Sequence, residues 1–398
     1  MKMKCDDHNP SYMAPCSRRA FIQTGAAALP VLFYGPTLLH PVEDAQKAGL
    51  ISTNYDAVKD IPRTATSMPG SYPGVVVEVT DKKVFKKDVP DKKRVRIMVE
   101  QGMIKLTGKR NVRDAWKVFA GPEDVVGIKI NPAGGKILSN QPVLIREIIR
   151  GLEKAGVQKK NIIIWDRFEM MLEEAGLSQE TFPGYRLVGI QQWNTEGTNR
   201  TEEGKHISHA MFDPEVYYEA DVEGPSNEEY FNQHMVSGTR SYFARLVTRD
   251  LTKIINVPVM KNAGNSVTMA LKNLAYGVIN NTGRLHKDLW ARMMGEVCSF
   301  PCVRDKAVLN IMDGLAACYD GGPMGVAEFV YRPQTIYFAS DPVALDAVGY
   351  DRIIAKRQEM KVKTILDDRY KSFLVSSEKA GLGVYDAKKR RLHQIVCS

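Results

Sequence analysis

The strongest constraint on the fold is an alternation. From position 124 onward, short apolar runs recur between stretches with helical spacing. The runs are Asp124–Asn131 (DVVGIKIN), Asn161–Asp166 (NIIIWD), Tyr185–Gln191, Lys253–Val259 (KIINVPV), Ala307–Asp313 (AVLNIMD) and Thr335–Ser340 (TIYFAS). Near-continuous apolar strands are buried on both faces, and crossover helices supply that cover in parallel sheets. The stretches Pro142–Ala155, Ser266–Val278, Lys287–Val297 and Pro342–Lys356 have the required helical pattern. Ahead of them, Val75–Thr80 reads as a strand and Lys92–Leu106 as a helix. The pattern predicts an α/β protein: a mostly parallel, Rossmann-like doubly wound sheet with helices on both faces.

The 398 residues suit two domains or one large α/β unit. Three segments are expected: a signal segment over 1–45, a linker over 46–74 and an α/β body over 75–398. The linker ends in PRTATSMPGSYPG (Pro62–Gly74), whose Pro, Gly, Ser and Thr disfavour regular structure. Within the body, Trp193–Gln233 shows no clear period and reads as an irregular acidic insert, either a small subdomain or a functional one.

The amino terminus reads as an address. Ser17-Arg18-Arg19-Ala20-Phe21-Ile22 resembles a twin-arginine motif and precedes a weakly apolar run, Thr24–Leu39, broken by Pro30 and Pro36. A confident membrane span needs about 20 largely uninterrupted apolar residues, and this run is shorter. The expected partner is therefore the twin-arginine translocase and the expected location periplasmic or otherwise extracytoplasmic. Membrane attachment would come only through an uncleaved signal. That route carries folded proteins, which raises the odds of a cofactor without naming one.

Charge is unevenly distributed. The chain holds 55 Lys+Arg against 46 Asp+Glu, a formal charge of +9. Asp81–Lys117 carries thirteen basic and five acidic residues, whereas Thr201–Tyr230 carries nine acidic residues and one lysine. The basic stretch lacks aromatic interleaving or a recognition motif, so it reads as a solvated face and no nucleic-acid partner is expected. Six cysteines are too few for a disulfide scaffold. Neither a CxxCH haem signature nor a ferredoxin-type cysteine run occurs, so c-type haem and a standard iron–sulfur cluster are not expected. His206-x-x-His209 lacks a defined third ligand, and Cys298, Cys302 and Cys318 leave a disulfide open.

Open parallel sheets bind ligands beyond the carboxyl ends of their strands. Polar residues predicted there are Lys129 and Asn131, Asp166 with Arg167, Lys261 and Asn262 with Thr268, Lys272 and Asn273 on the next helix, Asp313, and Asp341 with Asp346. Asp166, Lys261, Lys272 and Asp313 are the candidate catalytic groups. Lys129, Asn131, Asn262, Thr268 and Asn273 are candidate ligand contacts. Asp313, Asp341 and Asp346 are candidate ligands for a divalent metal ion, since hard cations take carboxylate oxygens. Asp341 before Pro342 reads equally well as a helix cap followed by a first-turn proline. Pro132–Lys136 only loosely resembles a phosphate loop, lacking the GxxxxGK[ST] spacing.

Four blocks carry a family resemblance: Asp124–Asn131 with Asn161–Arg167, Ile255–Val278 (INVPVMKNAGNSVTMALKNLAYGV), Ile311–Pro323 (IMDGLAACYDGGP) and Ser340–Gly349 (SDPVALDAVG). In their order, across about 124–356, the chain resembles the domain of unknown function 362 family. The resemblance implies a fold and no activity. Members often carry a histidine just after the first lysine of the second block; here Lys261-Asn262-Ala263 stands instead. The leading expectation is an exported, metal-assisted enzyme acting on a small anionic substrate. The competing expectation is a non-catalytic periplasmic ligand-binding or cofactor/redox assembly protein.

Overall fold

The computed structural model describes residues 50–191, 211–222, 238–264, 266–286, 288–364 and 366–398. The twin-arginine motif, His206, His209 and most of the acidic insert lie outside the described residues. All described residues belong to one unit, Leu39–Ser398. Among them, no helix is long and apolar enough to cross a membrane.

The first half of the body comprises β1 (Val75–Thr80), β2 (Phe85–Lys86), β3 (Val89–Pro90), α1 (Lys92–Thr107), α2 (Val112–Lys117), β4 (Val126–Lys129) and α3 (Pro142–Ala155). It continues with β5 (Ile162–Phe168), α4 (Glu169–Glu174), β6 (Arg186–Gln191), β7 (Phe212–Glu219) and β8 (Arg240–Ala244). Then follow β9 (Lys253–Asn256), β10 (Val259–Ala263), β11 (Ser266–Val267), α5 (Ala270–Ala275), α6 (Trp290–Cys298) and α7 (Pro301–Arg304). The chain closes with β12 (Ala307–Cys318), β13 (Val330–Tyr331), β14 (Thr335–Ala339), α8 (Pro342–Glu359), α9 (Ser372–Lys379) and β15 (Arg391–Val396).

The main sheet runs β15-β1-β14-β12-β9-β4-β5-β6. Pairings from β12 through β9, β4 and β5 to β6 are all parallel. β14 is reversed, antiparallel to both β12 and β1. The sheet is thus mostly parallel, as the apolar runs require.

Side chains alternate between two cores. Ile163, Trp165, Ile254, Met312 and Tyr337 pack on one face with Leu271, Met293 and Leu345 from α5, α6 and α8. Ile162, Ile164, Ile255, Ile311 and Phe338 pack on the other with Met98 of α1 and Ile148 of α3. That period-two division of continuously apolar strands is what a doubly covered sheet demands. The helix ends follow local chemistry. Asp91 caps α1 by accepting from Lys93 N at 2.9 Å and Arg94 N at 3.1 Å. Pro142 opens α3, and Gly156 at φ 103° closes it.

The structure corrects three readings. Lys253–Val259 is two strands, because Pro258 has no N–H to continue the ladder. Val257 N instead binds Lys129 O at 2.7 Å, and β10 moves on to pair with β12. Ser266–Val278 is not one helix: Ser266–Val267 pairs with β10, and α5 starts only at Ala270. Part of the stretch read as irregular is ordered, with β7 pairing antiparallel to β8. Asp213, Pro214 and Glu215 break the alternation in β7, so its order comes from pairing rather than from a local period.

Candidate functional site

β4 delivers Lys129 to the carboxyl edge, and the next residues deliver Asn131. The Lys129 ammonium is buried and has three acceptors: Asp166 Oδ1 at 2.5 Å, Ile130 O at 2.7 Å and Asn273 Oδ1 at 3.0 Å. An ammonium has three donors, so Lys129 is fully committed. Burial pulls its pKa down, and the Asp166 carboxylate opposes that pull. Asp166 Oδ2 also accepts from Phe168 N at 3.2 Å, which fixes the carboxylate at the end of β5.

Lys261 reaches the same place from β10. It is 1% exposed and donates to Asn131 Oδ1 at 2.8 Å. Among the described residues it makes no ion pair. Burial lowers its pKa to about 7; Cys318 and Asp166 act against this, and the charges of Lys272 and Lys129 add to it. Lys272 on α5 lies over the Tyr276 ring at 5.1 Å, and burial lowers its pKa to about 8. Lys129 is thus paired with Asp166, and Lys261 lies close enough to feel the charges of Asp166, Lys129 and Lys272.

Amides organise the cluster. Asn131 Nδ2 donates to Asn273 Oδ1 at 3.1 Å, and Asn273 Nδ2 to Asn256 Oδ1 at 2.7 Å. Asn256 Nδ2 donates to Asn310 Oδ1 at 2.9 Å, and Asn310 Nδ2 to Ser340 O at 3.1 Å. Each amide donates to the next carbonyl, so the row is polarised in one direction, with lysine ammoniums donating into Asn131 and Asn273 where it begins. Asn140 Oδ1 accepts from Asn131 N at 2.6 Å, and Asp313 Oδ2 from Gln141 N at 2.8 Å, so Asp313 adjoins the cluster. Burial raises its carboxyl pKa to about 6.

The remaining candidates stand elsewhere. Asn262 faces the 320–323 turn, accepting from Gly322 N at 2.9 Å. Thr268 N donates to Lys261 O at 3.1 Å, placing Thr268 just past β11, against the backbone of the lysine. Asp341 caps α8 and accepts from Gly74 N and Val384 N, both at 2.9 Å. Because β14 is reversed, the chain leaves it toward the start of β1, and β12 and β9 lie between β14 and the strand that holds Lys129. Asp346 accepts from Ala270 N at 2.6 Å and Leu271 N at 2.9 Å, capping α5 from α8. Burial raises Asp341 to about 6 and Asp346 to about 7. Among the described residues, no group of three or more His, Cys, Asp or Glu side chains gathers as a metal site.

The cap by Asp346 explains why α5 holds Lys272 and Asn273 in place despite its short length. Asp346→Ala is expected to cost about 1–2 kcal/mol, as loss of a helix cap does, read from the urea midpoint. Asp346→Asn, which keeps one acceptor, should recover part of it. Gly277 makes a second dependence: a Cβ there would overlap Lys129 Cε and Asn273 O. Gly277→Ala should destabilise by about 1–3 kcal/mol, measured the same way, whereas Gly121→Ala, with open space, should not.

Sequence reasoning missed Asn256 and Asn310, and with them the polarised row. The available signal was an asparagine inside each of two otherwise apolar runs, KIIN and AVLN, because a buried strand amide must find partners. It also left out His286, which stacks with Tyr276 at 4.4 Å between ring centroids. Burial, then the Lys272 charge, lowers its pKa to about 3, so it is neutral at physiological pH. Arg167, named at its strand end, donates to Thr282 Oγ1 at 2.6 Å and Tyr276 O at 3.3 Å, tying β5 to the segment after α5.

Comparison with known proteins places these residues in a family context. The model of a family described as "Domain of unknown function (DUF362)" matches residues 126–351, a span holding every member of the lysine–asparagine cluster. A solved structure of a Thermotoga maritima protein, from the Northeast Structural Genomics Consortium, is similar with 10% identity and a TM-score of 0.31. The match covers 70% of this chain and 61% of that one. No curated protein matches the chain.

Proposed function

The chain belongs to the domain of unknown function 362 family, and on that premise we propose that it is an enzyme acting on a small anionic substrate held at the carboxyl edge of the sheet. The observation that carries the proposal is the excess of positive charge: Lys261 lies near the Lys129–Asp166 ion pair and feels the charge of Lys272, and neither Lys261 nor Lys272 has an acidic partner among the described residues. Buried charge is costly unless paired, and an anion supplies the pair. Lys261 and Lys272 would meet the anion, Asn131 and Asn273 would orient it, and Lys261 would exchange protons near neutral pH. The proposal assigns no role in this step to the divalent cation expected from Asp313, Asp341 and Asp346, whose carboxylates accept from backbone N–H groups at different turns.

The test is melting temperature with oxalate, citrate or phosphate at pH 6 and pH 9. Both lysines carry their protons at pH 6, and both have largely lost them at pH 9. A stabilising shift at pH 6 that shrinks at pH 9 is expected; no shift with any of the three at pH 6 would sink the proposal. Export belongs to the same proposal and rests on Ser17–Ile22. A reporter fused after residue 74 should leave the cytoplasm, and Arg18→Lys with Arg19→Lys should retain it there.

A further inference from the structure

We infer that Lys261 is a nucleophile that condenses with the carbonyl carbon of a small oxo-carboxylate to form an imine. This rests on the anion-binding proposal and adds the chemical class of the substrate.

Two lysines of one cluster differ in their partners. Lys129 spends all three ammonium donors on Asp166, Ile130 O and Asn273, so it is a fixed cation. Lys261 donates one hydrogen bond, to the neutral amide of Asn131, and has no ion pair among the described residues. Its amine can therefore lose a proton without breaking a salt bridge. The charged and titratable groups acting on it are Cys318, Asp166, Lys272 and Lys129, and their combined setting leaves the amine partly neutral near pH 7. A desolvated lysine beside another cation is the arrangement that makes an amine nucleophilic at neutral pH. Lys272, over the Tyr276 ring, keeps its charge there and is placed to receive a carboxylate.

The neutral Lys261 amine attacks the carbonyl carbon, a C–N bond forms, and the amine proton passes to the carbonyl oxygen to give a carbinolamine. Its hydroxyl takes a proton from the Lys272 ammonium and leaves as water, and the nitrogen lone pair closes the C=N bond. The resulting iminium faces the Asn131 carbonyl oxygen, and Lys272 regains its proton from solvent. No oxidant or reductant is needed.

The experiment exposes the full chain to pyruvate with sodium cyanoborohydride, which reduces an imine to a stable secondary amine, and maps modified lysines by peptide mass spectrometry. Lys261 should carry the adduct about tenfold above the average surface lysine at pH 7, because ordinary lysines stay almost wholly protonated there. Oxalate, an anion with no ketone or aldehyde carbonyl, should protect it. Melting shifts with oxalate are measured on the same sample. An oxalate shift without selective labelling of Lys261 overturns the imine and leaves the anion site standing; neither shift nor labelling overturns both. Selective labelling of Lys272 in place of Lys261 also overturns the assignment. The wild-type chain supplies every outcome, so nothing depends on a variant folding.

Discussion

Replacing Lys261 with methionine should make the protein more stable and unable to bind the anion. The side chain is buried, its one partner is a neutral amide, and its pKa is lowered to about 7 from the usual 10.5. In that interval the unfolded chain holds a proton that the folded one has released, so stability rises with pH from about 7 to 10.5. Below pH 7 the folded state carries the whole cost of an unpaired buried ammonium. Methionine of similar length removes that cost, and replacement of buried charge by apolar volume commonly stabilises by about 1–4 kcal/mol. Asn131 Oδ1 is not orphaned, since Ala133 N still donates to it at 3.3 Å. Lys261→Met should therefore gain most at pH 6 and least at pH 10, and lose the oxalate shift at every pH. Urea unfolding across that range checks the stability and oxalate melting shifts check the binding; a variant destabilised at pH 6 would show that the ammonium is held by attractions beyond its bond to Asn131.

Asp166→Ala should have the opposite sign and the largest cost. It removes the one carboxylate of the cluster, 2.5 Å from a Lys129 ammonium that is 1% exposed. Breaking one side of a buried ion pair typically costs about 3–5 kcal/mol, because the remaining charge stays desolvated and unpaired. Adding Lys129→Met to Asp166→Ala should restore much of that loss, although neither change alone introduces a new contact. The coupling between the two sites, from a double-mutant cycle in urea, is the quantity to measure. Two losses that simply add would show that Lys129 and Asp166 do not depend on each other.

The carboxylates pull the pH profile the other way. Asp313 and Asp341 are raised to about 6 and Asp346 to about 7 from 3.8, so the folded state binds more protons than the unfolded one between about 4 and 7. Stability from these groups is present below pH 4 and is lost as pH rises through 6–7, where the lysine contribution begins to recover it. Together they place a dip in stability near neutral pH.

How far the sequence reached depended on the range of each interaction. α3 was legible to the residue because its opening proline, apolar stripe and closing glycine are all local. Lys129, Asn131, Asp166 and Lys261 were named from their positions at predicted strand ends and Asn273 from the helix that follows, and the structure joins them by direct hydrogen bonds. Asp341 was named by the same rule and lies elsewhere, because the rule assumes that every strand points the same way. Its apolar run, TIYFAS, says that β14 is buried but is silent on its direction. Likewise KIINVPV shows no gap in hydrophobicity at Pro258, only the missing N–H that splits the strand.

By itself, the sequence determined the doubly covered, mainly parallel sheet and the family, because apolar periodicity and short motifs are properties of neighbouring residues. Tertiary structure decided which lysine received the carboxylate. Lys129 and Asp166 are 37 positions apart, Lys261 and Asn131 are 130 apart, and Lys129 and Asn273 are 144 apart. Three lysines with similar surroundings in the chain thus became a fixed cation, a partly neutral amine and a charged neighbour. Desolvation and the pairing of Lys129 with Asp166 set those differences, and both exist only once distant strands meet at one edge.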